Sequence, residues 1–258
     1  MEKYLAGKVA LVTGSSRGLG LAFARGMAEA GADVIVTDRT DASAARFGEE
    51  ASGTAVAEKF RAMGVRSKFY AADLRCPKAV KKMVEDAIAD FGQIDILVNN
   101  AGGDIGETTP RPVVNNCLDI LDEDIASVVE RNFTSLLYVS KYVGQHMRER
   151  KTGKIVNVGS VAAHLSVKEG IIYAAAKYAI EHYTLCLAEE LRHYDINVNC
   201  IAPYGTKTAR FFATRPAPNE EGRSRLQRFA EIQDMVDMVM FMVGPNSERL
   251  TGETIIFR

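Results

Sequence analysis

Cysteine is scarce in this sequence, and long apolar runs are missing. The four cysteines never approach a Cys-x-x-Cys spacing and no histidine pair accompanies them, so neither a zinc site nor a disulfide framework is indicated. No apolar stretch is long enough to span a bilayer, and Glu2, Lys3 and Lys8 surround too short an apolar segment for a secretory signal. We therefore expect a soluble cytoplasmic protein without a metal site. The cysteines are Cys76, Cys117, Cys186 and Cys200.

An excess of charge of one sign is also missing. The chain has 32 lysines and arginines against 33 aspartates and glutamates, and no long run of like charge. This balance gives no electrostatic reason to expect nucleic acid or a membrane surface as a partner, and a small molecule fits better. With 258 residues, 47% of them apolar, the chain can bury one large core or two small ones, and we expect one domain over residues 1–258.

Short β-branched runs alternate with longer helical patterns along the chain. This alternation requires crossover connections, and the nearly continuous apolar runs suit strands covered on both faces. The sequence therefore predicts an α/β fold, with a parallel, doubly wound sheet of about seven strands and helices on both faces. The predicted strands are residues 9–13, 33–37, 65–71, 95–98, 154–158, 196–201 and 253–257.

Two long excursions interrupt the alternation. Residues 103–116 and residues 204–225 each contain two prolines and no clear periodicity. Long excursions in compact folds are often functional, so we expect both to form walls of a substrate site. Arginines in or near them predict either a pocket for a carboxylate, sulfonate or phosphate, or an ordinary solvated face. These arginines are Arg111, Arg210, Arg215, Arg223, Arg225 and Arg228.

A glycine-rich turn, residues 13–20, joins the first predicted strand to a helical pattern. Glycines allow a tight turn and close approach of backbone to a pyrophosphate, while a helix N-terminus presents free N–H groups and a positive dipole. The alternative is an ordinary glycine-rich loop, but its place between strand and helix favours a dinucleotide site. The expected contacts are Gly14, Ser16, Arg17, Gly18, Leu19 and Gly20.

Asp38 follows the second predicted strand, eighteen residues beyond Gly20. A carboxylate at this distance binds the adenosine ribose in a dinucleotide fold and repels a 2′-phosphate, which favours NAD over NADP. Arg17 and Arg39 argue for NADP, because a guanidinium group pairs well with a phosphate. Asp38 could also be a polar strand-end residue that starts a turn.

Tyr173 and Lys177 lie four residues apart in a helical pattern, which puts both side chains on one face. A neighbouring ammonium favours the phenolate form of a tyrosine, so the pair could exchange a proton with an alcohol or carbonyl. Tyr4 and Lys8 have the same spacing without any further partner, so spacing alone is a weak signal. Ser160, thirteen residues before Tyr173, ends a predicted strand and could hold the substrate oxygen.

Taken in order, these motifs resemble the classical short-chain dehydrogenase/reductase family. The family's glycine-rich turn corresponds to residues 13–20, and its Asn-Asn-Ala-Gly segment to residues 99–102. Its adenine-contacting acid corresponds to Asp73, and the resemblance runs from Lys8 to Thr254. The family's four catalytic residues fall on Asn132, Ser160, Tyr173 and Lys177.

The resemblance implies a single Rossmann-type domain, reversible hydride transfer at a nicotinamide, and a homotetramer or homodimer. It implies that Tyr173 is the general acid/base and that Lys177 holds the nicotinamide ribose. Ser160 would position the substrate oxygen and Asn132 would order a water. The implied cofactor is NAD, with NADP as the alternative, and the substrate is a small alcohol or ketone. Beyond the glycine turn, the implied cofactor contacts are Asp38, Arg39, Asp73, Leu74, Asn100, Ala101, Gly102, Tyr173, Lys177, Pro203, Thr206 and Thr208.

The sequence departs from the family where a Pro-Gly pair is usual and Pro203-Tyr204 stands instead. Tyr204 could narrow the substrate cleft or simply pack against its neighbours. His164, four residues after Ser160, is either a substrate contact or a solvated loop histidine. The remaining histidines fall in helical patterns and are expected to be ordinary surface groups. They are His146, His182 and His193.

The sequence is also compatible with three other functions. One is an NADP-preferring carbonyl reductase, and another is a non-catalytic dinucleotide sensor, because fold alone does not prove activity. The third is a lyase, epimerase or dehydratase that uses the cofactor transiently. Four intact catalytic positions disfavour the sensor, and the chain length disfavours the third alternative.

Overall fold

Residues 3–224 and 227–257, which the computed structural model describes, contain one sheet of seven parallel strands. This confirms the predicted α/β fold. The strands are β1 (Val9–Thr13), β2 (Asp33–Asp38), β3 (Ser67–Ala71), β4 (Ile96–Asn99), β5 (Gly153–Val158), β6 (Ile196–Ala202) and β7 (Thr254–Ile256). Across the sheet they follow the order β3-β2-β1-β4-β5-β6-β7, and every neighbouring pair is parallel.

Helices cover both faces of this sheet. They are α1 (Gly18–Glu29), α2 (Gly53–Ala62), α3 (Pro77–Phe91), α4 (Asp122–Val129), α5 (Ser135–Arg150), α6 (Ile171–Leu191), α7 (Ala209–Thr214) and α8 (Ile232–Val243). One core cluster packs α1, α2 and α8 against one face, and a second packs α3, α5 and α6 against the other. Because both faces are buried, the central strands are apolar at nearly every position.

The observed strand boundaries lie close to the predicted ones. The largest difference is at β3, which was expected over residues 65–71 and begins at Ser67. The backbone N–H of Arg66 donates to the Asp33 carboxylate over 2.7 Å, so the strand ladder starts one residue later. Local residues also set the ends of α3. It begins with Pro77 and ends before Gly92, which has a φ of 85°.

The strand order places β1 beside β4, where the direction of the connections reverses. From β1 the chain enters α1 on one face, and from β4 it continues to α5 on the other. In open parallel sheets, ligands bind in the crevice that forms outside the carboxyl ends of the strands at this point. The topology therefore positions the glycine turn and the segment after β4 at the mouth of one crevice.

A buried polar network fixes the strand ends that border this crevice. The Asn99 amide donates to the hydroxyl of Ser140 and to the side-chain oxygen of Asn157, each over 2.9 Å. The Asn157 amide donates to the Thr184 hydroxyl over 2.9 Å. The network thereby joins β4 and β5 to α5 and α6, which carry site residues.

His146 is not the ordinary surface group that its helical position predicted. Its ring Nε2 accepts the backbone N–H of Ile94 over 3.2 Å. Burial, with a further contribution from Arg150, lowers the pKa of the imidazole. The expectation is correct for His182 and His193, which are exposed.

Within residues 3–224 and 227–257, no helix is both long and apolar enough to cross a bilayer. No group of three or more His, Cys, Asp or Glu side chains within the same residues is arranged to hold a metal ion. Cys200 is buried, whereas the other three cysteines are exposed, and all four are free thiols.

Candidate active site

A cleft of about 980 Å³ opens at the carboxyl ends of the central strands. It is lined by the glycine turn, the segment after β4, the start of α6 and both long excursions, as the sequence predicted for the excursions. Of the predicted site residues, Ser16, Gly20 and Asn132 do not line it. Those that do are Gly14, Arg17, Gly18, Leu19, Asp38, Arg39, Asp73, Leu74, Asn100, Ala101, Gly102, Ser160, Tyr173, Lys177, Pro203, Thr206 and Thr208.

The glycine turn is locked onto the segment that follows β4. A Cβ atom at Gly20 would lie 2.3 Å from the Gly14 carbonyl oxygen and 2.5 Å from the Asn100 amide nitrogen, so only glycine fits there. The Asn100 amide donates to the Thr13 carbonyl over 2.9 Å. The Thr13 hydroxyl in turn accepts the backbone N–H groups of Asn100 and Ala101, both over 2.9 Å. The turn is therefore held rigidly, with the N-terminus of α1 directed to the cleft.

This helix N-terminus fits the pyrophosphate of a dinucleotide. Its first turn carries no acidic side chain, and among the described residues Arg17 at the N-cap supplies no side-chain cap. The Gly18 N–H donates to Glu49, and the other N–H groups of the first turn, together with the positive end of the helix dipole, favour an anion. The buried Nε of Arg17 also lacks a hydrogen-bond partner within residues 3–224 and 227–257, so it can donate to a ligand.

Asp38, the predicted ribose contact, lines the cleft at the end of β2. One carboxylate oxygen accepts the Ser16 hydroxyl, and the other accepts the backbone N–H of Arg39 over 2.7 Å. Ser16 therefore serves to orient Asp38 from behind the cleft wall. The Arg39 side chain is exposed.

A short 3₁₀ turn, Asp41–Phe47, and the residues after it border the same end of the cleft, and sequence reasoning missed them. The Arg17 guanidinium lies 5.0 Å from the centre of the Phe47 ring. Glu49 accepts the backbone N–H of Gly18 over 3.0 Å. Burial lowers the pKa of Arg17, while the Asp38 and Glu49 carboxylates act against that shift. The only local signal was the pair Thr40 and Ser43, which caps the 3₁₀ turn.

Asp73, the predicted adenine contact, lines the cleft in an ion pair with its neighbour Arg75. The Arg75 guanidinium approaches the carboxylate to 2.9 Å, and its backbone N–H donates over 3.0 Å. These hydrogen bonds lower the pKa of Asp73. The carboxylate is therefore ionised at neutral pH and held in one orientation.

Ser160, Tyr173 and Lys177 meet at the other end of the cleft. Lys177 is 4% exposed, its ammonium donates to the Val158 carbonyl over 2.7 Å, and it lies 5.6 Å from the Tyr173 ring centre. Ser160 Oγ accepts the backbone N–H of Ala162 over 3.2 Å. This leaves the serine hydrogen available to donate to a substrate oxygen beside a phenol and an ammonium.

Asn132, the fourth predicted catalytic residue, lies behind the cleft wall and is fully buried. It stands in a π-helical turn, Glu130–Thr134, where its amide donates to the carbonyls of Val128 and Gly103 over 2.7 and 2.9 Å. Its Oδ1 accepts the Gly103 N–H over 2.8 Å. All these bonds go to backbone, so the Asn132 side chain positions the start of the first excursion.

The second excursion brings aromatic side chains to the cleft. Tyr204 packs 5.3 Å from Phe229, which in turn lies 5.1 Å from Phe211, measured between ring centres. Tyr204 therefore lines the cleft and also packs against Phe229, so it combines the two roles that the sequence offered as alternatives. The Thr206 hydroxyl donates to the Tyr204 carbonyl over 2.9 Å, and Thr208 caps α7.

His164 is not the solvated loop histidine that the sequence allowed. It ends a 3₁₀ turn, Val161–His164, and its Nε2 lies 2.8 Å from the carboxylate of the part-buried Glu181, outside the residues that line the cleft. Among the excursion arginines, Arg111, Arg210 and Arg215 line the cleft. Arg223 and Arg228 are exposed and do not line it, and Arg225 falls outside the described residues.

A dinucleotide cradle beside a tyrosine, lysine and serine at one switch point defines a nucleotide-dependent oxidoreductase. The chain belongs to the short chain dehydrogenase family, whose model matches residues 8–218. It is 34% identical to a cyclohexanol dehydrogenase from Rhodococcus sp. (strain TK6), over 97% of this chain and 94% of that protein. It is 31% identical to a 3-oxoacyl-(acyl-carrier-protein) reductase from Vibrio cholerae, over 97% of this chain and 96% of that protein.

Solved structures share the whole fold. A 7α-hydroxysteroid dehydrogenase in complex with NADH and 7-oxo-glycochenodeoxycholic acid superposes with a TM-score of 0.84 at 27% identity, covering 99% of this chain and 94% of that one. A short chain dehydrogenase from Burkholderia cenocepacia in complex with NADP gives a TM-score of 0.84 at 31% identity, covering 98% and 97%. Members of this family bind either nucleotide, so the choice depends on this chain's own residues.

Proposed function

We propose that this chain is an NAD-preferring dehydrogenase that transfers a hydride reversibly between NAD(H) and the alcohol or ketone group of a small molecule. The observation that carries the proposal is the convergence of Ser160, Tyr173 and Lys177 on the cleft that the glycine turn also lines. The likeness to a cyclohexanol dehydrogenase supports an alcohol as one side of the reaction.

In this proposal the protein handles the proton, and the bound nicotinamide supplies or accepts the hydride. During oxidation, the Tyr173 phenolate takes the proton of the substrate hydroxyl, while the Ser160 hydroxyl donates to the same oxygen. The Val158 carbonyl fixes the Lys177 ammonium beside the tyrosine ring, so a positive charge lies next to the side chain that exchanges the proton. Asn132 acts as a positioning residue through Gly103.

The preference for NAD rests on charge at the ribose end of the cleft. Asp38 places a carboxylate there, and Glu49 adds a second negative charge close to Arg17. A 2′-phosphate would approach the Asp38 carboxylate, and Glu49 offsets part of the positive charge that Arg17 offers to it. Arg39 is exposed and its charge is screened by water and salt.

The assembly is proposed to be a homotetramer or homodimer, as the family resemblance implies. Tyr178 and Leu185 on α6 support this, because these large apolar side chains are 58% and 54% exposed.

The test is a panel of alcohols offered with NAD and NADP side by side, together with dissociation constants for both nucleotides. We expect NAD to bind tighter by about tenfold or more, which corresponds to about 1.4 kcal/mol. Asp38→Asn should shrink that ratio, because one of the two opposing charges is removed. Tighter binding of NADP than of NAD by the wild type would contradict the cofactor proposal.

A further inference from the structure

Three arginines of the two excursions line the cleft, and among the described residues Arg111 is the one that forms an ion pair. Arg111 pairs with the buried Asp104 carboxylate over 2.9 Å, and its guanidinium also lies 3.4 Å from Glu169. Within residues 3–224 and 227–257, Arg210 and Arg215 have no carboxylate within 4.0 Å. The walls therefore carry an excess of positive charge, although the chain as a whole has a formal charge of −1.

Arg210 acts as a clamp between the two excursions. Its guanidinium donates to the carbonyl of Asp104 over 2.8 Å and lies 3.4 Å from that of Pro110. It packs directly on Gly103, where a Cβ atom would lie 2.5 Å from one guanidinium nitrogen. Both hydrogen bonds come from the Nη2 nitrogen, and they hold α7 against the first excursion.

Arg215, immediately after α7, is held much more loosely. Its hydrogen bond within the described residues is one contact of 3.3 Å to the Thr214 hydroxyl, and its guanidinium lies 5.6 Å from the Phe211 ring centre. Burial and the neighbouring Arg111 lower the pKa of Arg215. Guanidinium donors that the protein does not use are available for two parallel hydrogen bonds to an anion, so this geometry favours an anionic ligand.

The substrate end, rather than the cofactor, is where this anion belongs. Arg215 lines the same cleft as Tyr173. Its guanidinium lies beside Phe211, whose ring packs on Phe229 and through it on Tyr204, so Arg215 belongs to the aromatic wall of the second excursion. A substrate that fills this part of the cleft would meet Arg215 with its anionic group.

We propose that the cleft selects an alcohol or ketone that also carries a carboxylate, and that Arg215 binds this carboxylate. Guanidinium groups bind carboxylates through two parallel hydrogen bonds, which fixes the orientation of a small substrate as well as its affinity. Arg111 and Arg210 position the surrounding walls. The inference rests on the proposed dehydrogenase function, because it assigns a substrate class to the same cleft.

The first arm of the test compares reduction of cyclohexanone and 4-oxocyclohexane-1-carboxylate with NADH. We expect the wild type to favour the carboxylate in kcat/KM by about tenfold or more. Arg215→Met should abolish that preference, because it lowers kcat/KM for the carboxylate, mainly through KM, far more than kcat/KM for cyclohexanone. Arg223→Met is the matched control, because Arg223 is exposed on the same excursion and its removal changes the charge equally. Arg215→Lys keeps the charge and should retain part of the preference.

The second arm needs no turnover. Cyclohexanecarboxylate and cyclohexanecarboxamide are titrated calorimetrically into the enzyme–NAD complex, and only the carboxylate should bind, in the wild type and in Arg223→Met but not in Arg215→Met. Equal treatment of the charged and neutral probes by the wild type would overturn the inference. So would an Arg215→Met variant that loses NAD affinity as strongly as carboxylate affinity. Carboxylate binding without reduction of either ketone would support the anion site and count against the dehydrogenase proposal.

Discussion

At the residue scale, the proposed chemistry depends on the proton that Tyr173 can exchange. Tyr173→Phe keeps the ring but removes this proton, so kcat should fall by about 100-fold to 10,000-fold. Affinity for NADH should stay within about twofold, because the cradle for the nucleotide is built from other residues. Steady-state turnover and a fluorescence titration of NADH measure the two effects separately.

The serine supplies a comparison for this variant. Ser160→Ala should also lower kcat, since it removes the donor to the substrate oxygen, with nucleotide affinity again preserved. If Tyr173→Phe keeps substantial turnover at saturating nucleotide, the acid/base must be another group.

Thiol reactivity gives a second prediction at this scale. Burial, with the negative charge of Glu181, raises the pKa of the Cys200 thiol to about 12, so it is almost wholly protonated at neutral pH. A thiol reagent should therefore label the three exposed cysteines of the native protein and spare Cys200 until the chain is unfolded. Peptide mapping by mass spectrometry reads the labelled positions, and labelling of Cys200 at the rate of the others would contradict its burial.

Single residues differed in how far the sequence could predict them. Tyr173, Lys177 and Ser160 were predictable because local spacing on one helix and one strand end already brings them to one place. Glu49 and His146 were not, because their partners Gly18 and Ile94 lie 31 and 52 residues away and no local pattern encodes such pairings. The sequence named Asn132 as a site residue, but its hydrogen bonds with Gly103 could not be predicted without the fold.

At the element scale, His146 ties α5 to the segment that precedes β4. It accepts the Ile94 N–H only as neutral imidazole, and the folded state lowers its pKa. The unfolded chain therefore binds the proton more readily. The stability that neutral His146 contributes is complete above the ordinary histidine pKa of about 6.5, and it is lost as the pH falls from there through the lowered pKa of the folded state. His146→Gln keeps a neutral acceptor, so its free energy of unfolding should fall less than that of the wild type between about pH 7.5 and pH 5.

Urea denaturation at several pH values in this range measures the difference. His182→Gln is the control, because His182 is exposed and its loss should leave the pH dependence unchanged. A His146→Gln variant with the full acid sensitivity of the wild type would mean that other groups are responsible.

Elements with a strong apolar period were the ones that the sequence predicted. All seven strands were located, since burial on both faces leaves short apolar runs between helical patterns. The 3₁₀ turn Asp41–Phe47 was missed because only Ala44 within it is buried, which leaves no periodic signal. The same holds for α7, whose six residues contain no buried side chain.

At the scale of the whole molecule, the cleft joins segments that are far apart along the chain. Parallel strands place all their carboxyl ends at one edge, which is why the sequence could predict that the glycine turn and Tyr173 would share a site. Local charge could be predicted only as two alternatives. The sequence placed Arg210 and Arg215 in an excursion without deciding between an anion pocket and a solvated face, and the fold shows that both line the cleft.

The most direct test of the central claim follows the hydride itself. The fastest alcohol of the panel is prepared with deuterium on its carbinol carbon and incubated with the protein and NAD, and the reduced nicotinamide is analysed by mass spectrometry. We predict that each reduced nicotinamide carries one deuterium, and that Tyr173→Phe forms far less of the labelled product. Reduced nicotinamide without deuterium, or no reduction with any alcohol while NAD is bound, would contradict the assignment of this cleft as a dehydrogenase site.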